Sequence, residues 1–222
     1  MNNFTKRAAA VLAAALMAFS AFSCGKKNSS SEDHDHGNQA GGSPDENVNL
    51  NQDQLPYGAQ IKKLLPKEDG VKLGIEYDIR YITDEEAEKL SDYIYALGKK
   101  DTALFEESSY PGLLHHLSRL SEAESEQAYL DKQYDIIKGY TNGDFEFNYV
   151  QTDSCHSPEE GFDFSAADSL ILALDPEAEI SSRKLVEANI MYDEGRLALA
   201  YRMGYDLTFY VYTVNGQTCV FN

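Results

Sequence analysis

One stretch of this chain cannot join a packed core, and it decides where folding is confined. Between Gly25 and Pro56 the residues read "GKKNSSSEDHDHGNQAGGSPDENVNLNQDQLP", where Val48, Leu50 and Leu55 are the only large aliphatic side chains. Burying so little apolar surface cannot offset the conformational entropy of ordering the stretch. As a flexible coil it spans roughly 30 Å end to end. Folding is therefore expected from about Tyr57 to Asn222, long enough for a real hydrophobic core. The expected organisation is residues 1–23, residues 24–56 as a linker, and one domain over 57–222.

The residues ahead of the linker explain why it exists. "MNNFTKR" carries Lys6 and Arg7, and "AAAVLAAALMAFSAFS" (8–23) is apolar or small. That is the charged start, apolar centre and small-residue exit of an export signal. The apolar run is short of the roughly 20 residues a membrane span needs. A plain export signal gives no reason for a cysteine at the next position. "AFSC" (Ala21 to Cys24) resembles the lipobox of bacterial lipoproteins, with Ala21 where that family usually has leucine. The resemblance implies cleavage before Cys24, a diacylglycerol on its sulfur, and a chain tethered to the extracytoplasmic face of the cell membrane. Two or three acyl chains hold a protein durably where one does not.

Charge narrows the partners. Formal net charge is −18, and removing residues 1–23 leaves 17 basic against 37 acidic side chains. A surface so negative repels phosphate backbones, so nucleic acid is not an expected partner. It repels anionic lipid headgroups as well.

Within 57–222 the pattern reads helices first and strands last. "GVKLGIEYDIRYI" alternates Ile75, Tyr77, Ile79 and Tyr81 with polar neighbours, as a strand or extended arm does. Thr83 and Glu86 form a capping box for a helix through Leu97, with Gly98 as its stop. A second helix is expected from Asp101, and a third around Leu113, Leu114, Leu117 and Leu120. "SEAE" (Ser121 to Glu124) reads as a further capping box for a helix to Gly139. Phe145, Phe147 and Tyr149 then alternate along a strand that starts after Asn142-Gly143. "SAADSLILALDP" fits a helix or a buried strand. The carboxy-terminal fifty residues suggest a meander of "KLVEANIMY", "RLALAYRMGY" and "DLTFYVYTV", then an Asn215-Gly216 turn into "QTCVFN". The fold class expected is α+β, with amino-terminal helices on one face of a curved antiparallel sheet.

The stretch "AEKLSDYIYALGKKDTALF" (Ala87 to Phe105), a helix broken at Gly98 and restarted at Asp101, resembles the nuclear transport factor two-like superfamily. A cystatin-like sheet with a wrapped helix is the near alternative. The first resemblance implies a cone-shaped sheet around a cavity, a fold that hosts both enzymes and pure binding modules. Fold alone does not choose between them.

The candidate residues are few, and none forms a catalytic motif. Cys155 and Cys219 remain once Cys24 is lipidated, and in an exported chain they are either a disulfide or two buried thiols. A bridge closing that separation would add roughly 4 kcal/mol in the loop-entropy account. Tyr201, Tyr205, Tyr210 and Tyr212 are candidates for a pocket wall or for a dimer face on the sheet, against a role in plain core packing. Thr208, Tyr210, Tyr212 and Val214 fall on one face of their strand, and Leu207, Phe209 and Val211 on the other, so both faces are expected to be covered. His34 and His36, with Asp33 and Asp35, are weak metal ligands on a flexible arm without preorganised geometry. His115 and His116 point about 100° apart on a helix and cannot share a metal there. No cofactor is expected. The leading expectation is a lipid-anchored domain that binds a small ligand or an envelope protein without catalysis. The alternatives are an enzyme of the cone-shaped superfamily and a metal-scavenging lipoprotein.

Overall fold

The computed structural model describes residues 55–138, 145–194 and 203–222. The chain begins with β1 (Ile61–Leu64), a one-turn helix α1 (Pro66–Asp69) and β2 (Gly74–Asp78). Four helices follow: α2 (Asp84–Lys99), α3 (Thr102–Ser108), α4 (Leu113–Leu120) and α5 (Glu126–Lys138). Then come β3 (Phe145–His156), α6 (Ser165–Leu174), β4 (Ile180–Glu194), β5 (Met203–Val214) and β6 (Gln217–Phe221).

Local chemistry accounts for most boundaries. The Thr83 hydroxyl accepts from the Glu86 amide and the Glu86 carboxylate from the Thr83 amide, which satisfies two orphan donors of α2. The helix does not stop at Gly98. It runs on to a left-handed cap at Lys100 (φ 57°). Gly98 serves contact instead: a Cβ there would lie 2.6 Å from the Phe147 ring, so α2 settles onto β3 where it has no side chain. Asp101 caps α3 as expected. The second capping box belongs elsewhere. Ser121 closes α4, Glu122 turns left-handed (φ 56°), and Ser125 accepts from the Ala128 amide to open α5. "SAADSLILAL" is helical because Ala167, Leu170 and Ile171 recur at helical spacing and bury one side.

The sheet is mixed and open, in the order β1-β2-β3-β4-β5-β6. All neighbours are antiparallel except β2 and β3, which are parallel. This corrects the expected curved antiparallel sheet of nuclear transport factor two-like or cystatin-like type. The domain is α+β, but among the described residues β1 and β6 each pair on one side only, and the sheet is neither closed nor curled into a cone. The reason lies in the chain order. Two strands precede the helices, and residues 79–144 are a connection long enough to bring β3 back parallel to β2.

Helices cover both faces rather than one. Ala87, Leu90, Ile94 and Leu97 of α2, with Leu130 and Ile137 of α5, pack on Ile75, Tyr77, Val150, Val186, Ile190, Phe209 and Val211. On the opposite face Ala167, Leu170 and Ile171 of α6, with Leu113 and Leu117 of α4, pack on Tyr212, Val214 and Phe221. Two strand details also differ from the sequence reading. Phe147 and Tyr149 do not share a face, because the register with β4 shifts between them. Met203–Val214 forms one continuous strand with Asp206 opposite Asn189, not two strands broken near Asp206. The Asn215-Gly216 turn is as expected, with both residues left-handed (φ 51° and 76°).

Candidate functional site

Alternation along β5 delivers the tyrosines that the sequence singled out. Phe209 and Val211 enter the first core, while Tyr210, Tyr212 and Val214 face the second, so both faces of this strand are covered. Phe221, opposite Tyr210 on β6, completes an aromatic cluster: its ring lies 5.3 Å from that of Tyr210 and 5.0 Å from that of Tyr212. Phe164 closes the cluster from the start of α6, 6.1 Å from Tyr210.

Tyr212 is 1% exposed, and its hydroxyl donates to the Asp168 carboxylate at 2.9 Å. Arg183 Nε donates to both oxygens of the same carboxylate, at 2.9 and 3.0 Å. Burial, and then the Asp168 charge, push the Tyr212 phenol well above its ordinary range. Burial raises Tyr210 as well. Both phenols therefore stay protonated, and Tyr212 acts as a donor that ties α6 to the sheet. The cluster is a filled interior, with Tyr210 the more accessible of the two rings. Tyr205 lies in β5 opposite Ile190. Tyr201, Cys24, His34 and His36 lie outside the described residues.

The two described cysteines are free thiols, which corrects the bridged alternative. Cys155 on β3 joins the first core and Cys219 on β6 joins the second, so they face opposite sides of the sheet. Strands β4 and β5 lie between them, and three strand spacings of about 4.8 Å far exceed the reach of a disulfide. Burial pushes each thiol up to about 12, which leaves both inert as nucleophiles.

The histidine pair diverges, as its spacing required. His115 is exposed and meets Glu126 at 3.1 Å beside a shallow open hollow lined by Thr102, Ser118 and Arg119. His116 is held below the usual imidazole range by burial, then by Arg119 and His115. Among the described residues no group of three or more His, Cys, Asp or Glu side chains converges as metal ligands.

A third cluster was missed by sequence reasoning. Asp78 ends β2 fully buried and accepts from the amides of Gly58, Gln60 and Arg80. The Arg80 guanidinium grips both oxygens of Asp78 and also donates to the carbonyls of Leu55 and Pro56. The Tyr57 ring lies tilted against that of Tyr81, 5.3 Å between centroids, and its hydroxyl is 2.7 Å from that of Thr152. Together they fasten residues 55–60, where the polar segment reaches the domain, to the end of β2 and to Thr152 within β3. The only sequence signal was an acid and a base two residues apart after an apolar alternation, a pattern too common to stand out.

In comparison with known proteins, the chain matches no family model, no curated protein and no solved structure.

Proposed function

We propose that this chain is a bacterial lipoprotein, held on the extracytoplasmic face of the cell membrane through a diacylglycerol on Cys24, and that its domain acts by binding. The observation that carries the reading is the ordered series at the amino terminus: Lys6 and Arg7, an apolar run, then "AFSC" and a polar segment of 32 residues. The Asp78–Arg80 cluster supports it, because a tethered domain needs a firm junction where the polar segment meets the folded body. Protein is favoured over an enclosed small ligand as the binding partner. The aromatic side chains that would line a cavity are packed against one another, and the hollow beside His115 is open to solvent.

Expression in a bacterial host with membrane fractionation tests this. The chain is expected in the membrane fraction, with an amino-terminal peptide that begins at Cys24 and carries the mass of a diacylglycerol. Cys24→Ser is expected to lose the modification. An unmodified Cys24 in a wild-type chain recovered from the soluble fraction overturns the proposal.

A further inference from the structure

The acidic character of the molecule is not evenly spread. Residues 81–222 carry 27 acidic against 10 basic side chains, whereas residues 61–80 carry five basic against four acidic. That second segment is β1, α1 and β2, one open edge of the sheet. It also holds three of the most exposed large apolar side chains: Ile61 at 42%, Leu65 at 40% and Ile79 at 51%. Alternation places Ile61, Lys63 and Leu65 on the same side of the β1 ribbon, while Leu64 turns inward to the core. Ile79 lies at the Ile61 end of the same edge, its amide donating to the Gln60 carbonyl. Lys67 lies on α1, whose side chains are all accessible, and Lys72 is exposed beside it. Lys62 and Lys63 pair with Asp84 and Glu76 yet keep 44% and 58% of their side-chain surface open.

We propose that this edge rests on the surface of the phospholipid bilayer, with Ile61, Leu65 and Ile79 entering the interface and the lysines meeting anionic headgroups. Three observations select a bilayer as occupant. Exposed aliphatic residues interleaved with lysines suit a boundary where hydrocarbon meets anionic charge, since lysine buries its stem and keeps its ammonium at the headgroups. The acidic remainder of the domain is repelled by the same surface, which turns this edge toward it. The segment that leads back to the anchor is fastened to Arg80 at the end of β2, so the lipid delivers this edge to the membrane first. This inference rests on the lipoprotein reading, and its test separates the two.

The full lipidated chain is placed in vesicles of phosphatidylcholine with phosphatidylglycerol, some of it spin-labelled at the headgroup. A fluorophore is attached at Ile79→Cys or, on the far helix α6, at Leu172→Cys. The probe at 79 is expected to be quenched and the probe at 172 not. Quenching at 79 should fall about twofold in vesicles without anionic lipid, and it should be lost in the double variant Ile61→Glu, Leu65→Glu. Equal quenching at the two sites, or quenching at 79 unchanged by that variant, overturns the inference. Emission from the 79 probe that shifts with protein concentration in detergent would place a second copy on the edge and also overturns it. The mass at Cys24 decides the anchor independently: an unlipidated chain ends the lipoprotein reading, and the same two probes still decide whether the edge meets lipid.

Discussion

Asp78 has no accessible surface, yet it carries a full negative charge that five donors compensate. The Arg80 guanidinium holds its carboxyl far below the usual carboxylate range, with the three backbone amides adding to the effect. Removing one partner of such a pair is costly, because the other charge is left buried. Asp78→Ala should destabilise the domain by about 3–5 kcal/mol, read as a lower urea midpoint. The sign of the pH dependence follows from the direction of the shift. A carboxyl whose folded pKa is depressed contributes fully above its unfolded value near 3.9, and that contribution is lost as pH falls through the folded value. Wild-type stability should therefore drop below about pH 4 more steeply than that of Asp78→Asn, which has no carboxyl to protonate there. Parallel acid profiles for the two chains would show that Asp78 is not the group involved.

At the scale of elements, the sequence was most legible where one side chain satisfies one backbone group. The capping box at Thr83, the cap at Asp101 and the left-handed turn at Asn215-Gly216 need no distant partner, and all three stand where the pattern placed them. What the pattern could not show depends on residues far apart in the chain. Gly98 has the look of a helix stop, but its role is set by Phe147, forty-nine positions later. The register shift after Phe147 and the parallel pairing of β2 with β3 come from packing across the sheet, which no local period records. The contact at Gly98 is testable. Gly98→Val would drive a branched side chain into a buried ring, and such overpacking costs typically about 1–3 kcal/mol. Thermal melts should show a lower midpoint than wild type. An unchanged or raised midpoint would mean that α2 can lift from β3 at little cost.

For the whole molecule, the arrangement that matters is one sheet serving two separate cores. Leu207, Phe209 and Val211 of β5 belong to the core under α2 and α5, and Tyr210, Tyr212 and Val214 to the core under α6 and α4. Tyr210 and Tyr212 were thus legible as residues on a covered face, but what covered them was not, because α6 comes from a stretch whose sequence allowed helix or strand. The two cysteines, one on each face, report on the two cores separately. Each thiol is buried and reacts only when its own side opens. Ile171 is fully buried on α6, and Ile171→Ala should cost about 2–5 kcal/mol. The cost falls on the α6 side alone, since the contacts of α2 with β2, β3 and β6 are untouched. In a Cys24→Ser background, alkylation of Cys219 under native conditions should therefore accelerate more than alkylation of Cys155. Peptide mass spectrometry distinguishes the two sites. Equal acceleration would mean that the faces open together, with the shared strands binding both cores into one cooperative unit.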